Sequence, residues 1–192
     1  MGGECAVTSY LDDSGANKIH IFTSISSEGI VAATLGLSDI DQSGARGLGQ
    51  FTEIIMDKRN ADERVAKVLS TIAFHILKDG WRVRPGVIFE SMVQMYFPGT
   101  KLPHVMFTTP YQWRGMGKVA LSEKTIHPLI AIPVSEAESR FAASNAGEDL
   151  ERVWEERSVD VLDWERSSAQ SDQPRNRSSA IGASPGVTSP GV

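Results

Sequence analysis

The residues able to carry reactive chemistry in this chain are few and scattered. Four histidines, His20, His75, His104 and His127, lie far apart. An imidazole needs a carboxylate, a nucleophile or a second ligand beside it to work as a base or hold a metal. The sequence contains no H-E-x-x-H, G-x-S-x-G, Walker loop, dinucleotide fingerprint or zinc-ligand pair of pairs that would supply one. His75 reads as a packed or surface histidine with no carboxylate partner. Cys5 is the single cysteine. It can form no internal disulfide and no cysteine-rich zinc site, and it reads as incidental within a loose terminus. Two carboxylate pairs remain. Glu136 and Glu138 fall at the start of an expected helix, where negative charge is favourable without catalysis. Asp160 and Asp163 read as solvated. No cofactor, metal site or catalytic residue is therefore expected. A fold can still gather distant residues, so a pocket in which His104 or His127 meets a carboxylate would mark an enzyme instead.

Composition narrows the class. Of 192 residues, 41% are hydrophobic and 22% charged, enough to bury a core. The formal net charge of -5 offers no basic footprint for a phosphate backbone, so nucleic acid is not an expected partner. No run of 18 apolar residues predicts a membrane span. The N-terminus lacks the charged and apolar regions of a secretory signal. Ala6 stands where a myristoylation motif needs Ser or Thr. A cytoplasmic protein is expected.

The elements that would position these residues follow from periodicity. Residues 1–17 form a loose entry with a turn cluster at Asp12, Asp13, Ser14 and Gly15. Residues 18–24 alternate as a strand, and 30–37 form a second one joined to it by a hairpin. The Gly-rich stretch 38–49 precedes another expected strand at 51–56. That is the wrong order for a phosphate cradle, and a long loop is expected. Residues 61–78 carry Val65, Val68, Leu69, Ile72 and Ile76 at helical spacing, with Asn60 as N-cap, Glu63 completing a capping box and Gly80 as the stop. Short extended pieces follow, then a strand at 102–109. Residues 127–134 read as a strand buried on both faces. Ser135 to Glu138 spell a capping box, so a helix starts at once and breaks at Gly147; a second runs over 148–157, and 159–164 close the domain as a short strand or turn. Residues 167–192 are rich in Ser, Gly and Pro and are expected to be a disordered tail.

Several of these stretches resemble the suppressor-of-fused (SUFU) domain family. Leu129-Ile130-Ala131-Ile132-Pro133-Val134-Ser135-Glu136 matches its apolar strand running into a helix start, with Val134-Ser135 replacing the usual Ile-Thr. Phe141, Gly147 and Leu150 follow in the expected order, and Asp163, Arg166 and Ser167 fit its closing pattern. Ile21 to Ser26, Phe51 to Met56 and Pro110-Tyr111-Gln112-Trp113 resemble its earlier strands and aromatic loop, with Ile25 where a glycine is common. The resemblance implies an α+β fold, a mostly antiparallel or mixed sheet with helices packed on it, over 18–166. Eukaryotic members carry a further domain for which this chain is too short, so their partner is not carried over. Stand-alone bacterial members are similar in size, and many act as immunity proteins against secreted toxins. The resemblance thus implies a non-catalytic protein-binding domain with a protein partner, a toxin in the immunity case. The contact would be an exposed sheet edge that accepts an extended peptide, or an aromatic patch at Tyr111 and Trp113. A single-domain protein with no dedicated partner is the remaining alternative.

Overall fold

Alternating β-branched residues build the sheet from its N-terminal half. The computed structural model describes residues 3–40, 51–110, 115–145 and 147–170. Strand β2 (Lys18–Ser26) sends Ile19 and Ile21 to one face, and β3 (Gly29–Leu35) sends Ile30, Ala32 and Thr34 to the same face. The two form the expected hairpin. Strand β4 (Ile54–Arg59) pairs antiparallel with β3, starting later than expected. Phe51 makes only an isolated bridge, to Ile126. The expected loose entry is corrected at once. Residues Glu4–Leu11 form a strand, β1, paired with β2 along its whole length.

Helix α1 (Arg64–Asp79) lays its apolar stripe across β2, β3 and β4. Val65, Val68, Leu69, Ile72 and Ala73 are fully buried there. Its stop is the expected one, with Gly80 left-handed at φ 67. Its start is not. Asn60 sits at φ 62 and caps nothing; the Asp62 carboxylate accepts the Arg64 N–H at 3.0 Å, two residues further on.

The second half inserts its strands beside β4. Strands β5 (Ile88–Phe89), β6 (His104–Thr108) and β9 (Leu129–Val134) complete one sheet in the order β1-β2-β3-β4-β9-β6-β5, while β7 (Val119–Ala120) and β8 (Thr125–Ile126) pair separately. The β4–β9 pairing is parallel and the others are antiparallel, so the sheet is mixed. Strand β9 is buried at every position, as expected of a continuous apolar run. One face receives α1. The other, over β9 and β6, receives α2 (Glu136–Asn145) and α3 (Glu148–Glu156) through Met106, Ile130, Ile132, Leu150 and Trp154.

A buried carboxylate holds this second layer. Ser135 and Glu138 form the expected reciprocal capping box: Ser135 Oγ accepts the Glu138 N–H at 3.1 Å, and Glu138 Oε2 accepts the Ser135 N–H at 2.8 Å. Glu138 also accepts from Arg166 Nη1 at 2.7 Å, Trp154 Nε1 at 3.1 Å and the Ala169 N–H at 3.0 Å. Residues 159–164 close the domain as turns. Ser168 bonds Ser135 Oγ and Ala169 is buried, so 168–169 belong to the packed structure and not to a tail beginning at 167. Residues 171–192 lie outside the described residues.

Burial alone would push the Glu138 carboxyl up, but Arg166, the Ser135 N–H and Trp154 outweigh it and hold the group below its ordinary value of 4.5. A depressed carboxylate stabilises the fold fully above its unfolded value and loses that contribution as pH falls through the folded value. Stability should therefore decline in acid below about pH 4.5. Replacing Glu138 with Gln should cost about 3–5 kcal/mol, because it strands a buried guanidinium. Urea unfolding at neutral pH and at about pH 3–4 checks both, since the variant should show less of the acid decline than the parent.

Candidate protein-binding face

The register of the sheet places one row of side chains straight across it. Val7 lies opposite Phe22, Phe22 opposite Ala33, Ala33 opposite Ile55, Ile55 opposite Ile130, and Ile130 opposite Thr108. All six point away from α1. Helix α3 covers the far end of this row: Thr108 Oγ1 donates to Glu151 Oε1, and Ile130 packs in the cluster under α2 and α3. Burial pushes the Glu151 carboxyl up there. Among the described residues nothing covers the near end. Val7 is 57%, Leu11 62% and Leu35 43% exposed, and Phe22, Val31 and Ala33 between them are half-buried.

The result is an apolar row at Val7, Phe22 and Ala33 on β1, β2 and β3, with polar groups on either side; Leu35 lies opposite His20 in one neighbouring row and Leu11 lies one row further, opposite Lys18. Ser9 Oγ and His20 Nδ1 lie 2.9 Å apart on one side of the central row, and Cys5 Sγ approaches Ser24 Oγ at 3.6 Å on the other. Along β4 the surface ends at a charged border. Burial raises the Asp57 carboxyl, Arg59 pairs with Asp160 at 2.7 Å, and the Arg59 N–H donates to Leu162 O. Isolated exposed aliphatics are ordinary, whereas a contiguous patch with a polar rim has the anatomy of a protein interface.

The histidines are distributed through the fold rather than gathered. His20 is on this face. His104 does meet a carboxylate, Glu136, at 2.7 Å, but its Nδ1 accepts the Ser91 N–H at 3.0 Å. Its proton therefore sits on Nε2, both nitrogens are engaged, and the ring is buried: it ties β6 to the start of α2. The His104 bond lowers the Glu136 carboxyl. His127 lines a small recess with Pro85, Pro128 and Leu129. His75, expected to lack a carboxylate partner, binds Asp79 Oδ2 at 2.6 Å one helical turn on, and stacks on Trp81 with centroids 4.2 Å apart. That i, i+4 spacing was available in the sequence. The pair borders a cleft of about 510 Å³ between α1 and the end of β1, lined also by Tyr10, Asp12 and Tyr96. Asp12, expected only as a turn residue, is held well below the usual carboxylate range by Asn17, Ser14 and Lys78. Of the two acidic pairs, Glu136 and Glu138 reach different partners, and Asp160 is exposed, as expected, while pairing with Arg59. Among the described residues no three His, Cys, Asp or Glu side chains could hold a metal ion, and no helix is long and apolar enough to cross a membrane. Tyr111 and Trp113 lie outside the described residues.

A mixed sheet with a helix on one face, a helical pair on half of the other and an open apolar platform defines a protein-binding α+β domain of the suppressor-of-fused type. Residues 16–167 match the family model "Suppressor of fused protein (SUFU)", and the chain belongs to that family. Strand β1 precedes the matched region. Among curated relatives, "Immunity protein YqcF" of Bacillus subtilis is 35% identical over 174 residues, covering 88% of this chain and 90% of that protein. Among solved structures, a putative SUFU homologue from Neisseria gonorrhoeae superimposes with a TM-score of 0.72 at 14% identity, over 89% of this chain and 90% of that one. The Sufu–Fu complex matches with a TM-score of 0.58 at 12% identity, over 86% of this chain and 76% of that one. Drosophila Suppressor of Fused matches with a TM-score of 0.57 at 14% identity, and this chain spans 42% of it.

Exposed apolar residues that face solvent contribute little to folding. The double variant Val7→Ser/Leu35→Ser should stay within about 0.5 kcal/mol of the parent in urea unfolding. Its binding of a hydrophobic reporter dye should fall clearly. A loss of several kcal/mol would mean that these side chains are packed rather than presented.

Proposed function

We propose that this chain is an immunity protein: it binds a partner toxin through the uncovered face of β1, β2 and β3 and neutralises it by occupancy, without catalysis. The observation that carries this reading is the 35% identity to an immunity protein over 88% of the chain. The platform supplies a physical route. An apolar centre at Val7, Phe22 and Leu35 would be desolvated on contact, and the His20 and Asp57 margins would fix the orientation. The modest acidity of the chain, net -5, favours a toxin surface with basic groups at the rim. Tyr111 and Trp113 are a second candidate contact, carried by the stretch that follows Pro110.

The test is protection of growth when the chain is co-produced with the toxin encoded beside it, together with the dissociation constant of the purified pair. The Phe22→Lys/Leu35→Lys variant should weaken binding by about tenfold or more, equivalent to about 1.4 kcal/mol, and lose protection. Trp113→Ala reports on the aromatic stretch separately. Full protection by the lysine variant would remove the platform from the interface. Failure of the parent chain to bind or protect would remove the toxin-neutralising reading itself.

A further inference from the structure

The two edges of the sheet are unlike. One is β5, with only Ile88 and Phe89, too short to recruit another strand. The other is β1, eight residues long, exposed at nearly every position and free of proline and lysine. Its register against β2 runs without a break from Glu4↔Ile25 to Leu11↔Lys18, so no bulge twists it away. Natural proteins blunt such edges with short strands, prolines, lysines or bulges, or cover them. This edge carries none of the first four.

The direction of its free backbone groups follows from the turn beyond it. The Asp12 N–H donates to Asn17 O at 3.1 Å, one step beyond the Leu11↔Lys18 pair. Opposed residues in an antiparallel ladder alternate between bonded and non-bonded pairs. Tyr10, Thr8, Ala6 and Glu4 therefore bond inward to β2. Cys5, Val7, Ser9 and Leu11 aim their N–H and C=O groups outward.

We propose that β1 pairs antiparallel with β1 of a second copy, centred on Val7, so that the chain is a homodimer with one sheet continuous through both copies. The strand is self-complementary in this register. Val7 faces Val7, Cys5 faces Ser9, Gly3 faces Leu11, and all of them present outward backbone groups. The single charged residue of the strand, Glu4, meets Tyr10. The register one residue away, centred on Thr8, would set Glu4 against Asp12 of the other copy and is disfavoured by like charge. The Val7 register also keeps the apolar row unbroken: Ile55, Ala33, Phe22 and Val7 of one copy continue into Val7, Phe22, Ala33 and Ile55 of the next. The dimer thus presents two binding faces side by side on one surface.

Analytical ultracentrifugation of the full chain at micromolar concentration should give twice the chain mass. Val7→Pro deletes an outward donor while sparing the bonds to β2, and should shift the mass to that of a monomer. A cross-link tests the register without relying on that variant. In a Cys5→Ser background, Val7→Cys places two thiols on the two-fold axis. Bonded antiparallel partners have Cα atoms about 5.5 Å apart, within disulfide reach. Mild oxidation should convert most of that variant to a covalent dimer on a non-reducing gel, while Leu11→Cys in the same background, about eight residues out of register, should stay monomeric. A monomer at all concentrations, or equal cross-linking through both positions, overturns the proposal. So does amide protection at Cys5, Val7 and Ser9 that develops only when toxin is added, which would assign the edge to the toxin.

Discussion

The layer over the second half of the sheet depends on the charge at Glu138. Its carboxylate is fully buried and is neutralised by Arg166, which also donates to Pro133 O at 3.0 Å. It further ties three segments to α2: Ser135 at the close of β9, Trp154 on α3, and Arg166 and Ala169 on the final stretch. A buried charge is tolerable only when its hydrogen bonds are complete, so these segments must arrive together or not at all. That requirement fixes α2 and α3 over β9 and β6. The opposite face of the sheet is closed by α1, whose stripe needs the Ile and Met side chains of β2, β3 and β4. What neither layer reaches is the reverse of β1, β2 and β3.

The platform is thus a consequence of how the helices are allotted. Covering it would take a third layer element among the described residues, and the sheet continues beyond the reach of α3. Val7, Leu11 and Leu35 remain in water although each would gain by burial, at about 25 cal/mol per Å² of apolar area. That unrealised gain is what the proposed contact with a partner would recover. The buried or engaged state of His104 and Glu138 fits the same picture. His104 is tied to Glu136 and Ser91, and Glu138 to Arg166, Trp154 and Ser135.

Much of the architecture was legible in the sequence because its signals are local. The stripe of α1, the continuous apolar run of β9 and the Ser135–Glu138 box are all patterns within a few residues, and each appears where it was expected. The failures are equally physical. Strand β1 was read as a loose entry because an edge strand exposed on both faces carries no alternation of apolar and polar residues. The start of α1 was misplaced because Asn60 resembles a cap in spacing, while the chain turns there through a left-handed residue and uses Asp62 instead. The helix-start role of Glu138 was visible, but its partners lie 16 to 31 residues away and no local pattern announces them. The exposed apolar row was invisible for a related reason: it is defined by cross-strand register and by where the helices stop. Family resemblance supplied what local patterns could not, the order of elements over residues 19–167, and the family match over 16–167 coincides with it.

Hydrogen exchange of the chain with and without the proposed partner toxin tests the account most directly. Occupancy of the platform should slow exchange in peptides spanning 4–11, 18–26 and 29–35 and leave α2 and α3 unchanged. Protection confined to the α1 cleft around His75 and Tyr96, with the three strands unaffected, would contradict it.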